Sequence, residues 1–342
     1  MLPNTIPISS LLVNYGIFGI EVMAVIKQHI LFYESDKDNR REAHRIILAS
    51  GAICSAPKTL EELAKVAKTE KFTMYILDLE GHQYLTSRGF CLSNEKNIIL
   101  SQQELGKVYN YLADMKTFTN FIAKNRDGKL LARDMLCTIT KLSNLDIFGV
   151  KKYLKWKPSS LIFQIRDSAT RNEYINDVLE YCHSLELRRH TIRSVQLLCE
   201  ELIMNALYDA PRDQSGNPIY KHEARTERVL LPPSQAVVME VASDGEVLAI
   251  SVTDPFGAIA HSTILEYLTR CFDSRSKMVS TTSSGGAGLG LYMCFNAVSD
   301  FIINVCPKVC SEFIGLFDIS SSVKDHTKRH PSFHYFSTDN KF

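Results

Sequence analysis

Residues 283–294 read SSGGAGLGLYMC, a run in which Gly285, Gly286, Gly288 and Gly290 give way at once to Leu291, Tyr292 and Met293. Glycine loses more conformational freedom on folding than any other residue, so such a cluster implies something pressed against its main chain. Gly286, Gly288 and Gly290 alternate just ahead of a helical stretch. Backbone N–H groups laid bare at a helix N-terminus suit a phosphate. The spacing is not the G-x-G-x-x-G of dinucleotide folds and no strand precedes it, so taken alone a Ser/Gly hinge reads equally well.

Two earlier stretches bear on the choice. In CEELIMNALYDA (199–210), Glu201, Asn205 and Tyr208 recur at i, i+4 and i+7 and are expected on one helix face, with Leu198, Leu202 and Ala206 on the next. An amide oxygen is a suitable hard ligand for Mg²⁺, which keeps waters and phosphate oxygens in its other positions. A glutamate one turn earlier can act as a general base on a hydroxyl. ISVTDPFGAI (250–259) ends an apolar strand in Asp254 and turns at Gly257. A carboxylate there can accept from an exocyclic amine such as that of adenine, and glycine lets the backbone approach the ring. Singly, these are also a polar helix face and an Asp-Pro turn.

The whole chain bounds the alternatives. Its 342 residues suggest two domains at about 100–200 residues each. A net charge of +1 gives no footprint for nucleic acid or an anionic membrane. Nine cysteines without a CxxC pair point to reduced thiols and a cytoplasmic setting. LLVNYGIFGIEVMAVI (11–26) is interrupted by Asn14 and Glu21 and follows no basic residue, so it reads as neither a membrane span nor a signal peptide. Residues 1–27 are taken as an N-terminal extension.

Over 28–145, strand-like runs (HILFYE, GAICSA, FTMYILDL, NIILS, FTNFIAK) alternate with helical ones at 37–50, 58–70, 102–115 and about 129–143. The expectation is an α/β domain with a five-stranded parallel sheet covered on both faces. The Asp78–Ser101 segment is short for a complete third helix. Glu34, Asp78, Ser101 and Lys124 fall at strand ends, where an open parallel sheet builds its site. Residues 146–159 read as a linker. Over 160–342, a strand and two helices precede a charged insertion (211–234), strands paired around the turn SDGE (243–246), a helix at 262–272, the glycine segment, a helix near 288–299 and strands at 301–306 and 312–319. Helices on one face of a mixed or antiparallel sheet are expected there.

Asn205, then Asp254 with Gly257, then Gly286 to Gly290 together resemble the N, G1 and G2 boxes of the ATPase superfamily shared by gyrase, Hsp90, histidine kinases and MutL. The resemblance covers about 160–320. It implies a Bergerat-type α/β sandwich with an ATP lid over about 260–285. It also implies ATP and Mg²⁺ as cofactors, Asn205 on the metal, Asp254 on adenine, and Gly286, Gly288, Leu289, Gly290 and Leu291 on the phosphates. His183 and His190 lack the flanking residues of a phosphoacceptor histidine, and the Glu201 arrangement is most similar to anti-sigma-factor serine kinases. That branch implies Glu201 as the base toward a serine or threonine of an antagonist protein, with Arg275 and Lys277 as weaker candidates for γ-phosphate stabilisation. Tyr208, Asp209 and the insertion depart from its pattern.

Residues 28–145 resemble the flavodoxin-like receiver domain of response regulators. Asp78 matches the phosphoacceptor, Glu34 and Asp78 the Mg²⁺ carboxylates, and Ser101 and Lys124 the switch residues. Ser35 stands where a second acid is expected, which leaves open a working receiver or a pseudo-receiver. The implied partners are proteins: a sigma-like factor or antagonist and a sensor kinase, with a homodimer open. Two classes remain, an enzyme transferring phosphate and an ATP-dependent partner-sequestering switch; an atypical histidine kinase is a third reading.

Overall fold

A computed structural model of the chain describes residues 27–92, 96–113, 119–125, 127–272, 287–320 and 329–339. The first half follows the expected alternation: β1 (His29–Tyr33), α1 (Lys37–Ala49), β2 (Ile53–Ser55), α2 (Leu60–Thr69), β3 (Met74–Asp78), α3 (Leu79–Ser87), β4 (Asn97–Ser101), α4 (Leu105–Ala113), β5 (Asn120–Ala123) and α5 (Ala132–Asn144). Side chains that bind backbone N–H groups set the helix starts: Asp36 caps α1 and Thr59 caps α2. The five strands are parallel in the order 2-1-3-4-5. Helix α3 corrects the expectation that its segment is too short. It starts without a loop because Asp78, the last residue of β3, is also its N-cap.

The second half contains β6 (Ser160–Ile165), α6 (Arg171–Ser184), α7 (Arg189–Met204), β7 (Val237–Ser243), β8 (Val247–Asp254), α8 (His261–Phe272), α9 (Ala287–Ala297), β9 (Asp300–Cys306) and β10 (Cys310–Asp318). Strands β6, β7, β8, β10 and β9 form an antiparallel ladder in that order. The SDGE turn forms as expected: Asp244 accepts from the N–H groups of Glu246 and Val247, and Gly245 takes φ +87°.

An unforeseen strand joins the halves. β11 (Ser332–Ser337) pairs parallel with β9 and antiparallel with β5, giving one eleven-stranded mixed α/β sheet. Arg329, just ahead of it, has a side chain only 9% exposed and is paired with Asp134 of α5 and Asp300 of β9.

The cores cross the same junction. Residues 146–159, expected as a linker, bury Ile147, Val150, Tyr153 and Leu154 with α5 under Ala249, Ile302 and Ile314 of the second half. The second half's own helices, α6–α9, stay on one face as expected, while α5 of the first half and this segment cover the other. Lys141 of α5 donates to Tyr153 Oη (2.5 Å) and Asn304 Oδ1 (2.8 Å) inside that layer. Helix α4, conversely, buries Leu105, Val108, Tyr109 and Leu112 in the core shared by α6–α9. No helix among the described residues is long and apolar enough to cross a membrane.

Candidate functional site

Helix α7 does not end as a regular helix. Over Asn205–Asp209 it widens into a π turn, closed by Ala210 N–H on Asn205 C=O (3.0 Å). The extra residue per turn rotates everything after Asn205 away from 3.6-residue spacing. Glu201 and Asn205 keep their i, i+4 relation, whereas Tyr208 does not share their face as expected. It is buried, with its hydroxyl donating to the carbonyls of Glu227 and, at 3.3 Å, Arg225.

A cavity of about 150 Å³ opens at this turn, lined among others by Asn205, Asp254, Leu291, Tyr267 and Phe313. Three of the expected ligand residues, far apart in the chain, thus meet at one wall. Both side-chain atoms of Asn205, Oδ1 and Nδ2, are buried, and among the described residues neither has a hydrogen-bond partner. Leaving a buried polar group unpaired costs about 1–3 kcal/mol, so an orphaned amide facing a cavity marks a place for a ligand, ion or water.

Asp254 sits at the end of β8, 3% exposed. Its Oδ1 accepts from the N–H groups of Phe256 (2.9 Å) and Gly257 (3.3 Å), an Asx turn that uses one oxygen of the carboxylate. Burial pushes its pKa up to about 6, against the pull of those two backbone donors.

Two glycines have a different task from the expected one. Gly257 has φ +56°, and the space a Cβ would need is filled by the backbone of Cys306, Lys308 and Val309 in the β9–β10 turn; Lys308 N–H also donates to its carbonyl (3.1 Å). The close approach there is by the protein's own chain, and it is Ala258 and Ile259 that line the cavity. Gly290 lies in the first turn of α9, and a Cβ on it would collide with the carboxylate of Glu201. Gly288 and Leu289 share that first turn, while Gly286, Arg275 and Lys277 lie outside the described residues.

Glu201 is half-buried between α7 and α9 rather than in the cavity lining. Burial raises its carboxyl above the usual range, with Arg225 opposing. The sequence reading missed the cations from the insertion: Arg212 and Lys221 both line the cavity. Arg212 is spent on the carbonyls of Asp209, Ala210 and Pro211, and Arg225 holds the Asp209 carboxylate at 2.8 Å. Lys221 pairs with no carboxylate among the described residues. The clustering of charge over 211–234 was the available signal.

At the carboxyl edge of the parallel strands, Glu34, Asp78, Ser101 and Lys124 do converge, and all four are buried. Lys124 Nζ donates to Glu34 Oε1 at 2.7 Å. Asp78 accepts from Gly81 N–H with Oδ1 and from Ser35 N–H with Oδ2, each at 2.8 Å. Ser101 Oγ accepts from Gln103 N–H (3.0 Å). This donor set suits a divalent cation poorly: lysine neutralises one acid and backbone N–H groups occupy both oxygens of the other. Glu34 Oε2 is buried without a hydrogen-bond partner among the described residues, and burial raises the Glu34 carboxyl in spite of Lys124.

A scan against protein-family models finds no match to this chain, and a search of the curated proteins finds no significant relative.

Proposed function

We propose that the second half of the chain binds Mg-ATP in the Asn205–Asp254–Leu291 cavity and transfers the γ-phosphoryl group to a serine or threonine of a protein partner, in the manner of the anti-sigma branch of the gyrase–Hsp90–histidine kinase superfamily. The orphaned amide of Asn205 carries this reading. The donor also suits the metal: the unpartnered Asn205 Oδ1 is the sparse share Mg²⁺ takes when phosphates and water complete its sphere. When bound, the ion would supply charge neutralisation on the phosphates.

The protein's own groups then have these tasks. Asp254 would accept from the amino group of the base with the oxygen its turn does not use, and Leu291, Ile259 and Phe313 would supply apolar contact. The start of α9 would present backbone N–H groups to phosphate. As the substrate hydroxyl oxygen bonds to the γ-phosphorus and the bond to the β–γ bridging oxygen breaks, ADP leaves and Glu201 takes the hydroxyl proton; burial, which raises its carboxyl above the usual range, makes it a stronger base.

A second reading, an ATP-dependent switch without turnover, is favoured by one observation: Glu201 packs on Gly290 instead of facing the cavity. The first half, with its 2-1-3-4-5 parallel order, is read as a flavodoxin-like pseudo-receiver, since Asp78 is a buried helix cap. Calorimetry with Mg-ATP tests the nucleotide site: the unmodified chain should bind and Asn205→Ala should not. Equal affinities would remove the assignment. Incorporation of phosphate into a co-purifying protein, abolished by Glu201→Gln, would separate the enzyme from the switch.

A further inference from the structure

Helix α8 has three working faces. Thr263 and Tyr267, one turn apart, line the cavity. Ile264 and Leu268 are buried in the core. Leu265, Thr269 and Phe272 recur at i, i+4 and i+7 and meet α4 of the first half. There, Tyr109 Oη donates to Leu265 C=O (2.6 Å) and lies 3.2 Å from Thr269 Oγ1, and the Tyr109 and Phe272 rings pack with centroids 5.1 Å apart. Gly106, one turn before, lets α4 come closer still: a Cβ added to it would lie 2.8 Å from Phe272 Cδ1. The Phe272 ring in turn packs edge-on against Tyr292 and Phe295 of α9, the helix that brings Gly290 and Leu291 to the site.

We propose that α4 is a built-in regulator of the nucleotide cavity, acting through α8 as a shared wall and Phe272 as the contact that reaches α9. The proposal rests on the reading of that cavity as an ATP site. A packed core moves between discrete arrangements rather than yielding smoothly, so a shift of α4 cannot be absorbed by α8 alone. Coupling of this kind is reciprocal. Whatever moves α4 alters nucleotide affinity, and nucleotide alters the protection of α4. The Tyr109 hydroxyl supplies a directional link, a 2.6 Å hydrogen bond from α4 to one carbonyl in the middle of α8.

The test uses the full chain and Mg-AMPPNP. Hydrogen exchange of α4 amides on the unmodified protein should slow when the nucleotide binds, while exchange in α2, which buries Leu63 in a separate core with β1, β3 and α3, should stay as it was. Gly106→Ala keeps α4 helical but forces Phe272 to move, and should change nucleotide affinity by about fivefold or more, within the usual range of coupling between sites. Tyr109→Phe keeps the ring and removes the bond to Leu265, and serves where the alanine variant does not fold. Binding to the unmodified chain with unchanged α4 exchange and affinities within twofold for both variants would overturn the regulator while leaving the ATP site standing. No binding to the unmodified chain would overturn both.

Discussion

The carboxylate of Glu201 fills the volume in which Gly290 would carry a side chain. This contact explains both residues without a ligand: one glycine of the cluster is small because a neighbouring helix delivers a carboxylate onto its main chain. Gly290→Ala should therefore destabilise the chain by about 1–3 kcal/mol, the usual cost of overpacking. Glu201→Ala in the same molecule should recover most of that loss, since it removes the group that clashes. Thermal or urea unfolding of the two single variants and the double variant checks this; additive losses would mean that the glycine serves something else.

Asp254 makes stability and binding respond to pH in opposite senses. Its folded pKa of about 6 lies above the ordinary aspartate value of 3.8, so the penalty for burying its charge is absent below pH 3.8 and fully present above pH 6. Stability contributed by this group falls as pH rises through 6, by about 3 kcal/mol from a shift of this size. On the proposed nucleotide reading, the ionised carboxylate is the stronger acceptor for the amino group of the base, so nucleotide affinity should fall as pH drops below 6. Asp254→Asn, which keeps an acceptor oxygen and cannot titrate, should flatten both profiles. Calorimetry and unfolding at pH 5 and pH 7.5 read the two separately.

Asp78 is committed to structure. Small phosphodonors such as acetyl phosphate should leave the chain unlabelled, because the carboxylate is 4% exposed and both oxygens already accept hydrogen bonds. Asp78→Ala should cost about 1–2 kcal/mol through loss of the α3 cap. Mass spectrometry after exposure to the donor decides the first point, and an added phosphoryl group lost in Asp78→Asn would restore a working receiver.

Local signals in the sequence reached most of the elements, since alternating apolar runs and turn residues such as those of SDGE (243–246) act within a few positions. They also brought Asn205, Asp254 and Leu291 to one cavity, because each stands at the end of an element whose type was plain. What they could not reach depends on distant partners. SFHYFS (332–337) is an ordinary short strand in composition, and only the free edges of β5 and β9 give it a place. The π turn is invisible to 3.6-residue spacing, so Tyr208 was misplaced. A glycine against a ligand and a glycine against another backbone look alike in sequence, which is why Gly257 and Gly290 were assigned to the nucleotide when chain atoms fill their spaces.

Arg329 places one guanidinium between Asp134 of α5 and Asp300 of β9, where all three are almost wholly buried. Burial raises the Asp300 pKa to about 6 even with Arg329 beside it; Asp134 is held below the usual range because Arg329 and Arg133 together outweigh its burial. Removing this cation leaves the two acids sharing only Arg133, 3.1 Å from Asp134 and 4.0 Å from Asp300, in a space that solvates them poorly. Arg329→Met should cost up to about 3–5 kcal/mol at neutral pH, the penalty of a buried charge stripped of its main partner. Protonation can relieve that penalty, so the difference from the unmodified chain should shrink markedly at pH 5. Urea unfolding at both values gives the comparison, and a loss independent of pH would show that Arg329 acts by packing β11 between β5 and β9 rather than by its charge.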